Sequence, residues 1–237
     1  MNDSVEVKYL GHSTFLFRSP GGKRILMEAW VGGNPACPES DKQLPPIDIM
    51  LITHGHPDHV SDAVEIAKQS KPQIACAYEL GAWLESKGVG NITQMNKGGT
   101  VIFDGIRATM VDAKHSSGFV EEDGTIVYLG SASGFVVQFE NNFCLYYAGD
   151  TCVFGDMALI REIYHPQVAF LPIGDLFTMG PEEAAHAARL LQTPTIVPMH
   201  YGTFPFLTGT PNDLVPRLPA GVELLELSPG ESRQLGA

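Results

Sequence analysis

Thr53-His54-Gly55-His56-Pro57-Asp58-His59 decides the fold, because it crowds three imidazoles and a carboxylate behind the apolar run 47–52. That run is broken only by Asp48, which suits a strand buried on both faces. His54 and His56 lie two apart, so in extended chain they project to the same side. Asp58 and His59 come about one turn later, near the start of the next helix. Four ligand-type side chains therefore converge at the C-terminal end of a strand. Imidazole suits zinc and similar divalent ions, and carboxylate also accepts harder ones such as manganese. A polar loop that merely caps a helix has no need of this density and order of ligands.

Later strand ends supply more of the same chemistry. His115 follows the apolar run 106–111, Asp150 follows 143–148, and His200 follows 195–198. Each alone reads as a turn acid or a solvent-facing histidine. Together with the first loop they form a site at one rim of a sheet. The surrounding pattern supports this. Predicted strands cover 5–10, 14–18, 24–30, 73–76, 100–103, 106–111, 125–129, 134–139 and 143–148, with helices over 62–69 and 79–87. The last third alternates helix 156–164, strand 168–171, helix 181–191, strand 195–198, helix 212–217 and strand 223–227. Two sheet-rich halves ending in helices predict an α/β (α+β) chain, two sheets packed together with helices outside. A chain of 237 residues fits a single domain spanning 1–237.

Composition removes several classes of function. Hydrophobic residues make up 44% and charged residues 18%, enough for a large core. With 15 Lys+Arg against 27 Asp+Glu the formal charge is −12. Long nucleic acids and anionic membrane surfaces need clustered cations, so neither is an expected partner. No apolar run reaches the ~18 residues of a membrane span. The opening Met1-Asn2-Asp3-Ser4-Val5-Glu6 lacks the basic and apolar regions of a signal peptide, so a cytoplasmic location is expected. Cys37, Cys76, Cys144 and Cys152 form no C-x-x-C pair and read as reduced thiols. Neither a G-x-S-x-G elbow nor a cysteine beside a histidine is present, which leaves covalent catalysis unsupported.

The pattern His54-x-His56-x-Asp58-His59, with His115, Asp150 and His200 downstream, resembles the metallo-β-lactamase superfamily. LPIGDLFTMGPEEA at 171–184, PMHYGTFP at 198–205 and Gly11-His12-Ser13 resemble its bacterial and archaeal metal-dependent hydrolase branch, which is similar to the ascorbate-6-phosphate lactonases. The resemblance implies a four-layer αββα sandwich with a two-metal site at one edge of the sheets. By that likeness His54, His56 and His115 hold one ion, Asp58, His59 and His200 the other, and Asp150 bridges them. A homo-oligomer is expected from the likeness alone. The branch usually has Asp-Pro-Phe where this chain has Glu28-Ala29-Trp30, ahead of a matching Gly33-Asn34-Pro35. An acid that supports the ligands from behind would reach differently here.

Two divalent cations, zinc first and manganese second, can share a hydroxide near neutral pH and polarise the bond under attack. The expected reaction is hydrolysis of an ester or lactone in a small molecule, anionic or phosphorylated on the family likeness. Asp58 is expected to orient the hydroxide and carry a proton, with Asp150 chiefly a bridge. One alternative is a phosphodiesterase or nuclease of the same fold. Another is a non-catalytic metal-binding or redox-scaffold protein. The redox variant should carry Glu in place of a first-loop histidine, where His56 stands, and an inert scaffold should have lost a ligand. Around the site, His12 reads equally as pocket lining or as a satisfied turn histidine. Asp175 reads as a supporting acid or a turn acid, and Tyr201 as a substrate contact or a packing residue. His165 and His186 read as structural, and 118–124 as an exposed hairpin or lid. Lys114 is the basic residue beside an expected ligand.

Overall fold

In the computed structural model, which describes residues 4–236, the apolar runs become two large mixed sheets. Met1–Asp3, on which the expectation about the leader partly rests, lie outside the described residues. The first half of the chain forms β1 (Val5–Gly11), β2 (Thr14–Arg18), β3 (Arg24–Met27), β4 (Ile49–Leu51), α1 (Pro57–Val60), α2 (Ala63–Ser70), β5 (Gln73–Ala77), α3 (Tyr78–Ser86) and β6 (Ile92–Met95). The middle forms β7 (Thr100–Phe103), β8 (Ile106–Asp112), β9 (Gly118–Val120), β10 (Ile126–Tyr128), β11 (Ser133–Gln138) and β12 (Cys144–Tyr147). The last third forms α4 (Met157–Tyr164), β13 (Val168–Pro172), α5 (Pro181–Leu191), β14 (Thr195–Met199), α6 (Pro211–Leu214), β15 (Glu223–Leu224) and β16 (Ser232–Leu235).

Sheet one runs β16-β1-β2-β3-β4-β5-β6 and sheet two β15-β14-β13-β12-β11-β8-β7. Each is antiparallel in one part and parallel in the other. β3 to β6 are parallel in the first sheet, and β12 to β15 in the second. Their inner faces meet through aromatic side chains. Phe15 packs edge to face on Phe170 at 4.9 Å, Phe17 on Phe170 at 5.5 Å, and the buried Tyr147 hydroxyl donates to the Ser13 carbonyl. Such pairs contribute about 0.5–1.5 kcal/mol each beyond the area they bury. Outside sheet one, α2 and α3 lay Ala63, Ile66, Leu80 and Leu84 against Met50, Ile52, Ile74 and Cys76. Outside sheet two, α4 and α5 bring Met157, Ile160, Ala184, Ala188 and Leu191 into the core. Helix α5 begins with Pro181 in its first turn, followed by Glu182 and Glu183, and ends where Gln192 turns left-handed. No helix among the described residues is long and apolar enough to cross a membrane.

The strand directions locate the site. β1 is antiparallel to β2 and β2 to β3, so β1 and β3 run the same way; likewise β8 runs with β12 through β11. The C-terminal ends of β1, β3, β4, β8, β12 and β14 supply His12, Glu28, the 53–59 loop, His115, Asp150 and His200. Parallel sheets bind ligands beyond such ends, because the connections leave a crevice there.

Several expectations are adjusted. The strand expected over 24–30 ends at Met27, because Glu28 takes a left-handed φ of 62°. The strand expected over 125–129 is no part of either large sheet; β10 pairs only with β9, making the hairpin expected near 118–124. β6 and the polar edge strand β16 carry little apolar periodicity and were not expected. The helix expected over 212–217 is one α turn followed by a 3₁₀ turn.

The loops after β13 and β14 touch at a point with no spare room. A Cβ on Gly174 would sit 2.0 Å from the His200 carbonyl oxygen. Gly174→Ala is expected to lower unfolding free energy in urea by about 1–3 kcal/mol, with His200 displaced. Unchanged stability would show that the two loops move apart freely.

Candidate metal centre

The chain closes each donor into position by local chemistry. Gly55, between His54 and His56, leaves room for Leu129; a Cβ there would lie 2.3 Å from Leu129 Cδ1. The Gly55 N–H donates to Ser117 Oγ, which itself donates to the Leu129 carbonyl. Pro57 opens α1, so Asp58 and His59 leave the first turn toward the same space as the paired histidines. His12, Glu28 and His200 all adopt left-handed φ values, 58°, 62° and 55°. For residues with a Cβ this costs roughly 1–2 kcal/mol each. Such strain collects at functional sites when the surroundings hold it in place.

Two four-residue groups of donors result, besides a third of Glu28, His54 and His59 that shares its histidines with them. His54, His56, His115 and Asp150 form one, and His12, Asp58, His59 and His200 the other; within each group the donor atoms lie within 4.8 Å of one another. Asp150 Oδ2 stands between them, 3.1 Å from His200 Nε2, 3.4 Å from His59 Nε2, 3.7 Å from His115 Nε2 and 3.9 Å from His54 Nε2. His54, His59, Asp150 and His200 are buried, whereas His56, Asp58 and His115 are half-buried and form the mouth.

The donor set fits divalent metal. His56 Nδ1 lies 3.0 Å from His54 Nε2 and 3.2 Å from His115 Nε2. A tetrahedral zinc with bonds of about 2.0–2.1 Å spaces its nitrogens by about 3.3–3.4 Å. Asp150 Oδ1 and His59 Nε2, the nitrogen 3.4 Å from Asp150, are buried without a hydrogen bond. Buried polar atoms are rarely left so, and a cation among them supplies the missing partner.

Behind the donors sits the Glu28 carboxylate, with no solvent exposure. Its Oε1 accepts from Thr53 Oγ1 at 2.5 Å and lies 3.1 Å from His59 Nδ1, while Oε2 accepts from the Thr53 N–H at 3.1 Å. Thr53 Oγ1 is also 3.0 Å from His54 Nδ1. With the threonine proton given to Glu28, the network assigns the His54 proton to Nδ1 and leaves Nε2 facing the other donors. One acid thus steers a histidine in each group. Thr53 had been given no role, since no sequence signal links residues 25 positions apart.

The ion pairs shift the titrating groups. Burial disfavours charge on His59 and His200, yet Asp150 outweighs it, holding His59 well above the usual imidazole range and raising His200 to about 9. Burial likewise opposes the carboxylates of Asp58 and Asp150, and the neighbouring histidines still hold both well below the usual range. Glu28 is raised by its burial. His54 is pushed far down, and His12 to about 4, by burial.

His12 is a buried turn histidine whose ring faces Asp58 within its donor group. Its Nε2 is 2.9 Å from Asp58 Oδ2, its Nδ1 2.9 Å from Thr203 Oγ1, and its carbonyl accepts from the His200 N–H at 2.7 Å. Asp175 is exposed in the turn between β13 and α5 and belongs to neither donor group. Tyr201 is half-buried against the core of sheet two, and burial pushes its hydroxyl up to about 12. His186 is exposed on α5, and His165 is exposed as the left-handed residue that ends α4. Cys37, Cys76 and Cys144 are buried and Cys152 is exposed, all as free thiols.

A two-sheet sandwich carrying these donors at its rim defines a metal-dependent hydrolase of the metallo-β-lactamase fold. The chain belongs to the beta-lactamase superfamily, matching its domain over residues 23–201. It is 51% identical over 228 residues to a UPF0173 metal-dependent hydrolase of Koribacter versatilis, covering 96% of this chain and 97% of that one. A UPF0173 metal-dependent hydrolase of Solibacter usitatus is 48% identical over 231 residues, with 97% and 100% covered. Among solved structures, Igni18, a metallo hydrolase from the archaeon Ignicoccus hospitalis, superposes with a TM-score of 0.86 at 31% identity, covering 99% of both chains.

Two outcomes follow for the centre. Glu28→Gln should keep the fold but weaken divalent-ion affinity about 10–100-fold, measured by competition with a chromophoric chelator. In chelator-treated protein, the His200–Asp150 pair stabilises fully below pH 6.5 and is lost as pH rises through about 9. Neutral buried His12 works the other way, losing stability as pH falls from 6.5 toward about 4. Thermal melts of the stripped chain should therefore peak between these limits, and divalent ion should remove the alkaline decline by replacing the proton. A flat profile would contradict the arrangement.

Proposed function

We propose that the chain is a binuclear hydrolase acting on a carboxylic ester or lactone of a small molecule. The observation that carries this reading is Asp150 Oδ2, set within 3.1–3.9 Å of imidazoles from both donor groups, as a bridging carboxylate requires. His54, His56 and His115 would hold one ion, Asp58, His59 and His200 the other, with Asp150 common to both. The nitrogen-rich set favours zinc, then manganese. When bound, such a pair supplies an activated water and a Lewis acid for the carbonyl oxygen.

The remaining work falls to the chain. Asp58, at the mouth and hydrogen-bonded through Oδ2 to His12, receives the proton of the attacking water and returns it to the leaving oxygen. Thr203 fixes the far side of the His12 ring, so the carboxylate keeps one orientation. Glu28 and Thr53 hold His54 and His59 from behind. The buried inner donors keep bulk water from the deep side of the site.

The phosphodiesterase alternative is less well supported. Lys114, the basic residue next to His115, has its ammonium paired with Asp112 at 2.5 Å and set over the Phe154 ring at 5.9 Å. The inert-scaffold alternative requires a lost donor, and His56 and the other six are all present.

Purified protein should contain close to two divalent ions per chain by elemental analysis. Asp150→Asn should lower ion content and reduce ester turnover below detection. Asp58→Asn should cost about 10²–10⁴-fold in kcat while the fold persists. Full activity of ion-free protein would end this proposal.

A further inference from the structure

A ladder of aromatic rings leads out of the metal centre. The ring of His12, which contacts Asp58, meets the edge of Trp30 at 5.1 Å and of Phe204 at 6.0 Å. Trp30 and Phe204 stack at 6.1 Å, Phe204 and Phe206 stack at 5.2 Å with 15° between planes, and Phe177 closes the series edge-on to Phe206 at 5.7 Å. Exposure rises outward, from 8% at Trp30 to 47% at Phe206 and 55% at Phe177, with the adjoining Leu176 at 63%. The inner end therefore abuts the donors and the outer end lies open.

The exposure of these rings is built in. Asp175 and Leu176 hold consecutive left-handed φ values of 66° and 52°. For a side chain as bulky as leucine this is an outlier that the surroundings must enforce. The Phe177 N–H closes onto the Asp175 carbonyl and the Asp175 N–H onto that of Met179. The Gly209 N–H bonds the Gly174 carbonyl, tying the loop that carries Phe177 to the one that carries Phe204 and Phe206. A loop merely covering the core would turn these side chains inward. Neither loop, 173–180 or 199–210, contains a lysine or arginine, and Asp175 adds an exposed acid. These loops offer an anionic or phosphorylated group no lysine or arginine, whereas they offer an apolar group flat aromatic faces.

We infer that this ladder is the subsite for an apolar acyl or aryl portion of the substrate, seated on Phe204, Phe206 and Phe177 with its ester or lactone carbonyl at the metal centre. The inference rests on the hydrolase reading and narrows it: the substrate is a hydrophobic ester or lactone rather than a sugar phosphate.

The test uses zinc-loaded protein and three hydroxamic acids that share one chelating head, namely acetohydroxamic, octanohydroxamic and 4-phenylbutyrohydroxamic acid, titrated by calorimetry. The two tailed probes should bind at least tenfold more tightly than acetohydroxamic acid. Phe206→Ala and Phe177→Ala, both at exposed positions, should erase most of that gain while zinc content and acetohydroxamic acid affinity stay unchanged. Affinity independent of the tail, or a gain that survives both substitutions together, overturns the subsite. So does a fall in sedimentation mass in the variants without loss of tail preference, which would mark the ladder as a contact between copies of this chain. Failure of the hydrolase reading looks different. Protein that takes up no zinc and binds no head group defeats both, whereas tail-dependent binding without turnover of any hydrophobic ester defeats the hydrolase reading alone.

Discussion

A single carboxylate oxygen, Asp150 Oδ2, lies among four imidazoles contributed by the loops after β4 and β8 and the end of β14. Asp150 itself is almost wholly buried. A buried carboxylate is costly unless cations or hydrogen bonds surround it, and an imidazole nitrogen facing another nitrogen is costly as well. The arrangement becomes favourable when positive charge sits among the donors, and the rim of the fold is organised to keep them there. Both sheets must hold their register for the six strand ends to meet at one place. The aromatic contacts of Phe15 and Phe17 with Phe170, and of Tyr147 with Ser13, provide that register from the core.

Precision at the rim comes at the expense of local backbone comfort. His12, Glu28 and His200 each occupy a left-handed conformation that side chains disfavour, and each lies against the donor groups. The His200 N–H bonded to the His12 carbonyl ties two of these positions together across the two sheets. These three positions strain the backbone at the rim, in addition to left-handed residues at turns and helix ends such as Asn142 and Gln192. The loops beyond β13 and β14 are also short of space, with Gly174 pressed against the His200 carbonyl.

Glu28 shows how a departure from the resembling branch is absorbed. Its extra methylene, set on a left-handed turn, lets one carboxylate reach both Thr53 and His59. Through Thr53 it also orients His54. Support that comes from behind the donors keeps the mouth free for substrate, where Trp30 replaces the phenylalanine expected at that position and starts the aromatic ladder. One tripeptide thus serves the inner side of the centre through its acid and the outer side through its indole.

His54, His56, Asp58 and His59 were legible from the sequence because a strand followed by a short loop must bring such neighbours together, whatever the rest of the chain does. His115, Asp150 and His200 were legible for a related reason, each being a ligand-type residue at the end of an apolar run. The two-sheet architecture followed from the order of those runs. Edge strands such as β16, with three of its four residues exposed, carry no periodicity to read. The link from Glu28 through Thr53 to His54, the contact of His12 with Asp58, the exposure of Asp175, and the alignment of Trp30 with Phe204, Phe206 and Phe177 were decided only by the tertiary structure. These depend on contacts between residues up to some 190 positions apart, as between His12 and Thr203, and on backbone angles that no local pattern encodes. Local sequence determines which donors a loop can offer, and the packing of the two sheets decides what those donors face.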